Sequence, residues 1–199
     1  GLKLGFSPGF LGSTANEGYA RLTGAIGAAP GRGFGWVRGS VTSRLRREAR
    51  EAVSVLDARW IDQTVPGQTL VLAAHGIAGV KTARDFQVIF GGLNGLRAYP
   101  VQALAGTRAW RLNAEDRWTI GEYAELVTLG AVAFADAAQT WGAGAAGTDW
   151  HVASGVGLRI ALPRWSLTQV LRVDMAWPVS PTRDRRRNAV ISIGSSQAF

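Results

Sequence analysis

The chain has 199 residues, of which 47% are hydrophobic, enough for one sizeable domain or for about ten membrane strands of about 9–11 residues each. Cysteine is absent, which excludes disulfide scaffolds, thiolate metal sites and cysteine nucleophiles. The net charge of +8 would ordinarily point to nucleic acid, but Lys3 and Lys81 are the only lysines, and the arginines alternate with apolar residues in extended segments rather than clustering. No nucleic-acid partner is expected on that pattern. No apolar run approaches the roughly 20 residues of a membrane helix, so a bilayer could be crossed only by a closed, hydrogen-bonded sheet.

The chain opens Gly1-Leu2-Lys3, with neither an initiating Met nor a signal peptide, so either a signal was removed or this is a piece of a longer polypeptide; a C-terminal piece is expected. Period-two alternation predicts strands near 2–8, 18–28, 33–45, 50–62 and 68–80. A long connection over 81–106 follows, large enough to be functional rather than a plain link. Further strands are predicted near 107–118, 122–138, 150–162, 166–178 and 188–199. The clearest alternation runs from Trp150 to Leu162. Val152, Val156, Leu158, Ile160 and Leu162 share a face with Trp150, and Arg159 lies on the other with His151, Ala153, Gly155, Gly157 and Ala161. Leu171, Val173, Met175 and Trp177 likewise oppose Arg172 and Asp174. Glycine, with 26 residues, recurs inside the strands, where a curved wall packed against a plug would use it.

Connection lengths alternate. A short turn near Thr119–Gly121 precedes a longer loop, Trp141–Asp149, and a tight Pro163-Arg164-Trp165 turn precedes Ser180–Arg187. Outer-membrane barrels pair short periplasmic turns with longer external loops in this way. Trp110 and Trp118 bracket one strand, Trp141 and Trp150 a loop, and Trp165 and Trp177 lie near the ends of another strand, which suits the membrane–water boundary. The fold class expected is an all-β, antiparallel, up-and-down transmembrane β-barrel. Two basic clusters, Arg44-Leu45-Arg46-Arg47 with Arg50, and Arg183 with Arg185–Arg187, would lie on its external side, where lipopolysaccharide phosphates are within reach.

Sites for chemistry are poorly supported. His75 and His151 are isolated, so no metal site is expected. The glycine-rich stretches Gly31-Arg32-Gly33-Phe34-Gly35 and Ser154-Gly155-Val156-Gly157 lead into alternating strands rather than helices, which argues against a phosphate loop. Asp149, His151 and Ser154 lie in one local stretch that implies no nucleophile–base geometry. No catalytic residue and no cofactor is assigned, and the segment is not read as an enzyme.

Three stretches carry a family resemblance. Gly91-Gly92-Leu93-Asn94-Gly95-Leu96-Arg97-Ala98-Tyr99-Pro100 resembles the long sixth external loop of the BamA/TamA assembly proteins and two-partner-secretion (TpsB) transporters, the bacterial surface antigen superfamily. In that family the loop folds back into the barrel behind a Val/Leu-Arg-Gly-Tyr/Phe tip; here Ala98 stands where glycine is usual. Gly106-Thr107-Arg108 through Leu112-Asn113-Ala114-Glu115-Asp116-Arg117 resembles the strand after the loop. Phe134-Ala135-Asp136-Ala137-Ala138 is similar to the family's Phe-x-Asp-x-Gly strand, again with alanine for the last glycine. Gly155-Val156-Gly157-Leu158-Arg159 and Leu171-Arg172-Val173-Asp174-Met175 resemble the penultimate strands, and the terminal Phe199 resembles the aromatic assembly signal of outer-membrane proteins.

The resemblance implies a sixteen-strand barrel in the bacterial outer membrane, with six strands and periplasmic POTRA domains lying upstream of this segment. It implies a loop tip of Gly95, Leu96 and Tyr99, with Arg97 anchored in the lumen against Asp136 and Glu115. The implied function is translocation or membrane insertion of a polypeptide substrate. The implied partners are outer-membrane lipids, lipopolysaccharide, and the assembly machinery that reads the C-terminal strand. Two alternatives stay open: a passive porin-like or structural barrel, and the barrel part of an enzyme-fused family member.

Overall fold

A computed structural model describes residues 1–12, 16–45, 50–82, 86–92, 95–124, 126–162, 170–180 and 188–195. Among the described residues the chain is all-β apart from one 3-10 turn, Gly9–Leu11. Its strands are β1 Leu2–Ser7, β2 Glu17–Ala28, β3 Gly33–Leu45, β4 Arg50–Asp62, β5 Gln68–Val80, β6 Val88–Phe90, β7 Leu104–Gly106, β8 Arg108–Tyr123, β9 Val127–Trp141, β10 His151–Ala161, β11 Val170–Pro178 and β12 Val190–Ser195. Ten of them form one antiparallel sheet in the order β1-β2-β3-β4-β5-β8-β9-β10-β11-β12, while β6 and β7 pair only with each other. Among the described residues β1 and β12 each have a neighbour on one side only.

Each strand of the large sheet pairs with the one before it in chain order, except that β5 pairs with β8, past the β6–β7 ribbon. Directly paired residues share a face, so the register divides the sheet cleanly. One face, which we call outer, carries Leu22, Val41, Leu56, Leu72, Leu112, Val156 and Met175. The opposite, inner face carries Asp57, His75, Arg111, Asn113, Glu115, Asp136, Arg159, Arg172 and Asp174. A slip of one residue anywhere would exchange the two sets. Val156 and Leu158 are exposed on the outer face, while Arg159, Arg172 and Asp174 are buried on the inner one, as the alternation predicts.

Segment 86–106 covers the inner face from β5 to β11. It contributes Val88, Phe90, Leu96, Ala98, Tyr99 and Leu104 to a core completed by Ala109, Val132, Phe134, Ala138, Ala153 and Ala176 from the wall. The wall residues under it are mostly alanine, which leaves the ribbon room to approach the backbone. Glycines in the strands serve close packing as well: a Cβ at Gly76 would stand 2.5 Å from the Trp110 ring of the neighbouring strand.

Two expectations need correction. The turn expected at Thr119–Gly121 is not a turn: β8 runs on to Tyr123, with a register shift between Thr119 and Gly121. The extra residue, Ile120, is a bulge beside a glycine, a signal that resembles a turn in sequence but only bends a strand. The chain reverses instead between Tyr123 and Val127, where Leu126 N–H donates to the Tyr123 carbonyl at 3.0 Å. The connection 81–106, in which no strand is predicted, contains the antiparallel β6–β7 ribbon; its strands are only three residues each, too short for periodicity to register. The Pro163-Arg164-Trp165 turn, Arg46-Arg47, Arg183, Arg185–Arg187 and Phe199 lie outside the described residues.

The corrected turn yields a prediction. Ala124 adopts φ 50°, the left-handed conformation that a Cβ disfavours. Ala124→Gly should raise stability by about 1 kcal/mol and Ala124→Val should lower it. The check is the urea midpoint of the two variants at unchanged m-value.

Candidate functional site

Alternation on β8 sends Asn113, Glu115 and Arg117 inward together. On β9 the same rule sends Phe134 and Asp136 inward, and on β10 and β11 it sends Arg159 and Asp174. The register then sets Glu115 opposite Phe134, Asn113 opposite Asp136, and Gly157 opposite Asp174. Three carboxylates on three strands thus converge on one patch of the inner face, and the loop brings Arg97 onto it.

Arg97 grips Asp136 in the two-pronged manner favoured by guanidinium and carboxylate. Its Nε donates to Asp136 Oδ2 at 2.8 Å, and its Nη2 to Oδ1 at 2.7 Å. The Arg97 backbone N–H also donates to Oδ2, at 3.2 Å. Its Nη1 donates to Glu115 Oε1 at 2.7 Å and to Asp174 Oδ2 at 3.4 Å. The guanidinium carbon lies 3.3 Å from the centroid of the Phe134 ring, a cation–π contact removed from water. Arg97 is 1% exposed, as are Glu115 and Asp136, and Asp174 is fully enclosed.

Each carboxylate has a second donor. Asn113 Nδ2 donates to Asp136 Oδ1 at 2.9 Å and to the Gly95 carbonyl at 3.1 Å, tying the wall to the loop tip. Arg117 Nε donates to Glu115 Oε2 at 2.7 Å. Arg159 Nη1 donates to Asp174 Oδ1. Burial opposes the charge on Arg97, but the hydrogen bonds and charge of Asp136, with the charges of Glu115 and Asp174, outweigh it and raise its pKa above the usual guanidinium value. Arg97 is therefore a fixed cation.

Two glycines make room for this cluster. A Cβ at Gly155 would stand 2.3 Å from Phe134 Cζ, and one at Gly157 would stand 2.1 Å from Asp174 Oδ1. The first lets the ring lie flat under Arg97, and the second lets the carboxylate reach it. The loop tip itself is a β-turn in which Tyr99 N–H donates to the Leu96 carbonyl at 3.2 Å. Ala98 sits in that turn without positive φ, so the absence of glycine there costs nothing in backbone strain. Gly95, with φ 83°, does need its glycine, because a Cβ would collide with the Arg111 side chain at 2.1 Å. Leu96 is wholly buried, and Tyr99 donates its hydroxyl to the Val152 carbonyl at 3.2 Å and sets its ring edge-on to His151.

Of the residues singled out in the sequence, Arg97, Glu115 and Asp136 meet in one cluster, and Gly95, Leu96 and Tyr99 form the tip that delivers Arg97. Phe199 lies outside the described residues. Asp174, Asn113 and Phe134 also touch the cluster, though sequence reasoning did not assign them to it. The inward parity of all three was readable, but the cross-strand register that brings them to Arg97 was not. Ser154 is on the outer face and His151 on the inner one, so the two do not meet. His75 Nδ1 lies 2.7 Å from Asp57 Oδ1, and among the described residues no group of three or more potential ligands is placed to hold a metal. In the first basic cluster, Arg44 faces inward, 3.6 Å from Glu17. The arrangement holds a loop by charge.

No family model matches the chain, and no curated protein matches it.

Removing one partner of a buried ion pair costs about 3–5 kcal/mol, and here the loss should fall on loop docking rather than on the wall. Arg97→Ala and Asp136→Ala should each speed proteolytic cleavage within 86–106 more than tenfold, while strand amides keep their hydrogen-exchange protection. The double variant should be little worse than either single one, because each change already breaks the same contact.

Proposed function

We propose that the ten-stranded sheet is wall from a transmembrane β-barrel of a bacterial outer membrane, and that this barrel translocates or inserts polypeptides. The observation that carries the membrane reading is polarity turned inside out. Glu115, Asp136, Arg159, Arg172 and Asp174 are buried on the inner face, while Leu22, Ile26, Val41, Leu112, Val156, Leu158, Ile191 and Ile193 are exposed on the outer one. An apolar surface continuous over ten strands far exceeds what soluble monomers leave in water, and it suits lipid.

The tryptophans support this. Trp60 and Trp118 lie toward the short-turn end of the outer face, and Trp110, Trp141, Trp150 and Trp177 toward the long-loop end, the placement expected of two interfacial girdles. Strands β2 to β5 have 12 or 13 residues each, enough for a tilted crossing. Outer-membrane lipids would then contact the outer face, and lipopolysaccharide is a further proposed partner.

The transport reading rests on the clamp. A passive pore needs no loop locked by one arginine to three strands, whereas a gated translocator needs an element with a held and a displaced arrangement. The cluster around Arg97 supplies the held one. The polypeptide is the proposed substrate, and the short-turn end its periplasmic side.

Two measurements test this reading in the full-length protein. Single cysteines can be placed in a chain that has none: at Val156 and Leu158 they should resist a water-soluble maleimide in lipid vesicles and react in detergent-free denaturant. Arg97→Ala should reduce transport or insertion at least tenfold while heat-modifiable gel mobility, a measure of wall assembly, stays unchanged. A variant altered only in ion conductance, with transport intact, would make the barrel a passive pore.

A further inference from the structure

The outer face of the wall is not smooth. A groove of about 410 Å³ crosses it from β2 to β9, lined by Leu22, Gly24, Gly39, Val41 and Leu56 and, at its β8–β9 end, by Trp110 and Trp141. Gly24 and Gly39 are directly paired, and a Cβ added at Gly24 would meet nothing within 4 Å, so the depression there is open space. Five inter-strand spacings make the groove about 24 Å long. An acyl chain in one leaflet spans half of the roughly 30 Å hydrocarbon core. A helix, about 10–12 Å in diameter, is too thick to enter a channel of this length and volume.

The groove also has a direction. On β9 it ends at Trp141, the last residue of that strand, at the long-loop end of the wall. On β2 it reaches Gly24, near the middle of a 12-residue strand. It therefore descends from the level of the tryptophans toward the middle of the wall. Arg108 stands at the upper end. It faces outward, paired with Ala78 on one side and Trp141 on the other, and both of those residues line the groove. Arg108 is exposed, and among the described residues no carboxylate lies within ion-pair distance of it. A guanidinium on a lipid-facing wall belongs in the headgroup layer, where the available counter-charge is phosphate. Trp110, two positions along the same strand, and Trp141 beside it mark that boundary.

We infer that Arg108 and this groove bind one molecule of lipopolysaccharide from the external leaflet, with a lipid A phosphate on Arg108 and an acyl chain laid along the groove toward Gly24. The inference rests on the membrane reading, which supplies the lipid and makes the long-loop end external. Charge complementarity selects the headgroup, since a planar guanidinium takes two phosphate oxygens at once, whereas a zwitterionic head would bring its ammonium toward the same cation. The site lies on the wall itself and is separate from the basic clusters anticipated in the sequence, of which Arg44 faces inward.

Full-length protein in micelles of an uncharged detergent can be titrated with lipid A carrying both phosphates, with lipid A stripped of phosphate, and with phosphatidylethanolamine, and bound lipid counted by native mass spectrometry. Phosphorylated lipid A should fill one saturable site at least tenfold more tightly than either of the others. Arg108→Gln should weaken it at least tenfold and bring it level with the dephosphorylated form. Gly24→Leu, which places a side chain in the open groove, should weaken both forms of lipid A severalfold and tests the site independently of the charge. Both variants should keep the heat-modifiable mobility of the assembled wall. Equal binding of the three lipids, or unchanged lipid A affinity in both variants, would overturn the site. Displacement of lipid A by inorganic phosphate would overturn the lipid in favour of a free oxyanion. Maleimide labelling of Val156→Cys and Leu158→Cys in vesicles separates the two readings. Protected cysteines with unchanged lipid A affinity in both variants would remove this site and leave the membrane reading standing, whereas labelled cysteines would remove the membrane reading and this site with it.

Discussion

Enclosing the Arg97 guanidinium is the constraint on which the rest of the structure depends. A lone guanidinium taken from water would be unsustainable, and its burial is possible only because Asp136, Glu115 and Asp174 reach it from three strands. Those carboxylates in turn are held by Asn113, Arg117 and Arg159, and their approach requires glycine at 155 and 157. The loop turn at Leu96–Tyr99, the alanines beneath segment 86–106, and the ribbon of β6 and β7 all serve to deliver one side chain to one point. Without that charge the segment would keep its apolar core and the Asn113 and Tyr99 hydrogen bonds but lose the contact that ties it to three strands at once.

The wall makes that delivery reliable. Residues on neighbouring strands meet only if every register between β8 and β11 is correct, and register is set where one face must differ from the other. Here the difference is extreme, with buried charge on one side and exposed aliphatic residues on the other. The bulge at Ile120 falls beyond Glu115 and Arg117 on the strand, so the pairing that brings Glu115 opposite Phe134 is undisturbed. Among the described residues the covering segment packs on the inner face from β5 to β11, while Lys3, Arg21 and Arg38 are exposed on the inner face of β1 to β3.

Much of this was legible in the sequence because period two is a strong signal. The five strands before the long connection lie within a residue of their expected bounds, and the inward parity of Arg159, Arg172 and Asp174 could be read from their neighbours. The trio of Arg97, Glu115 and Asp136 was suggested by resemblance and parity together; its geometry is now explicit. What the sequence hid was of two kinds. Short-range irregularity was misread, since Thr119-Ile120-Gly121 looks like a turn and bends a strand instead. Long-range register was invisible, so Asp174, which is 77 residues from Arg97 along the chain, and the Phe134 ring beneath it were not assigned to the clamp.

A charged clamp and an apolar one would hold the loop with different consequences. Apolar contacts are non-directional and weaken gradually as surfaces separate. The Arg97–Asp136 fork is satisfied in one geometry, and a displacement of a few ångströms forfeits its hydrogen bonds together. Yet the net stability of a buried ion pair is small, because most of the attraction offsets desolvation. Water or another carboxylate entering the cluster would therefore compensate much of what the loop loses on leaving. A contact that is sharp in geometry and modest in net free energy defines a position without making it permanent.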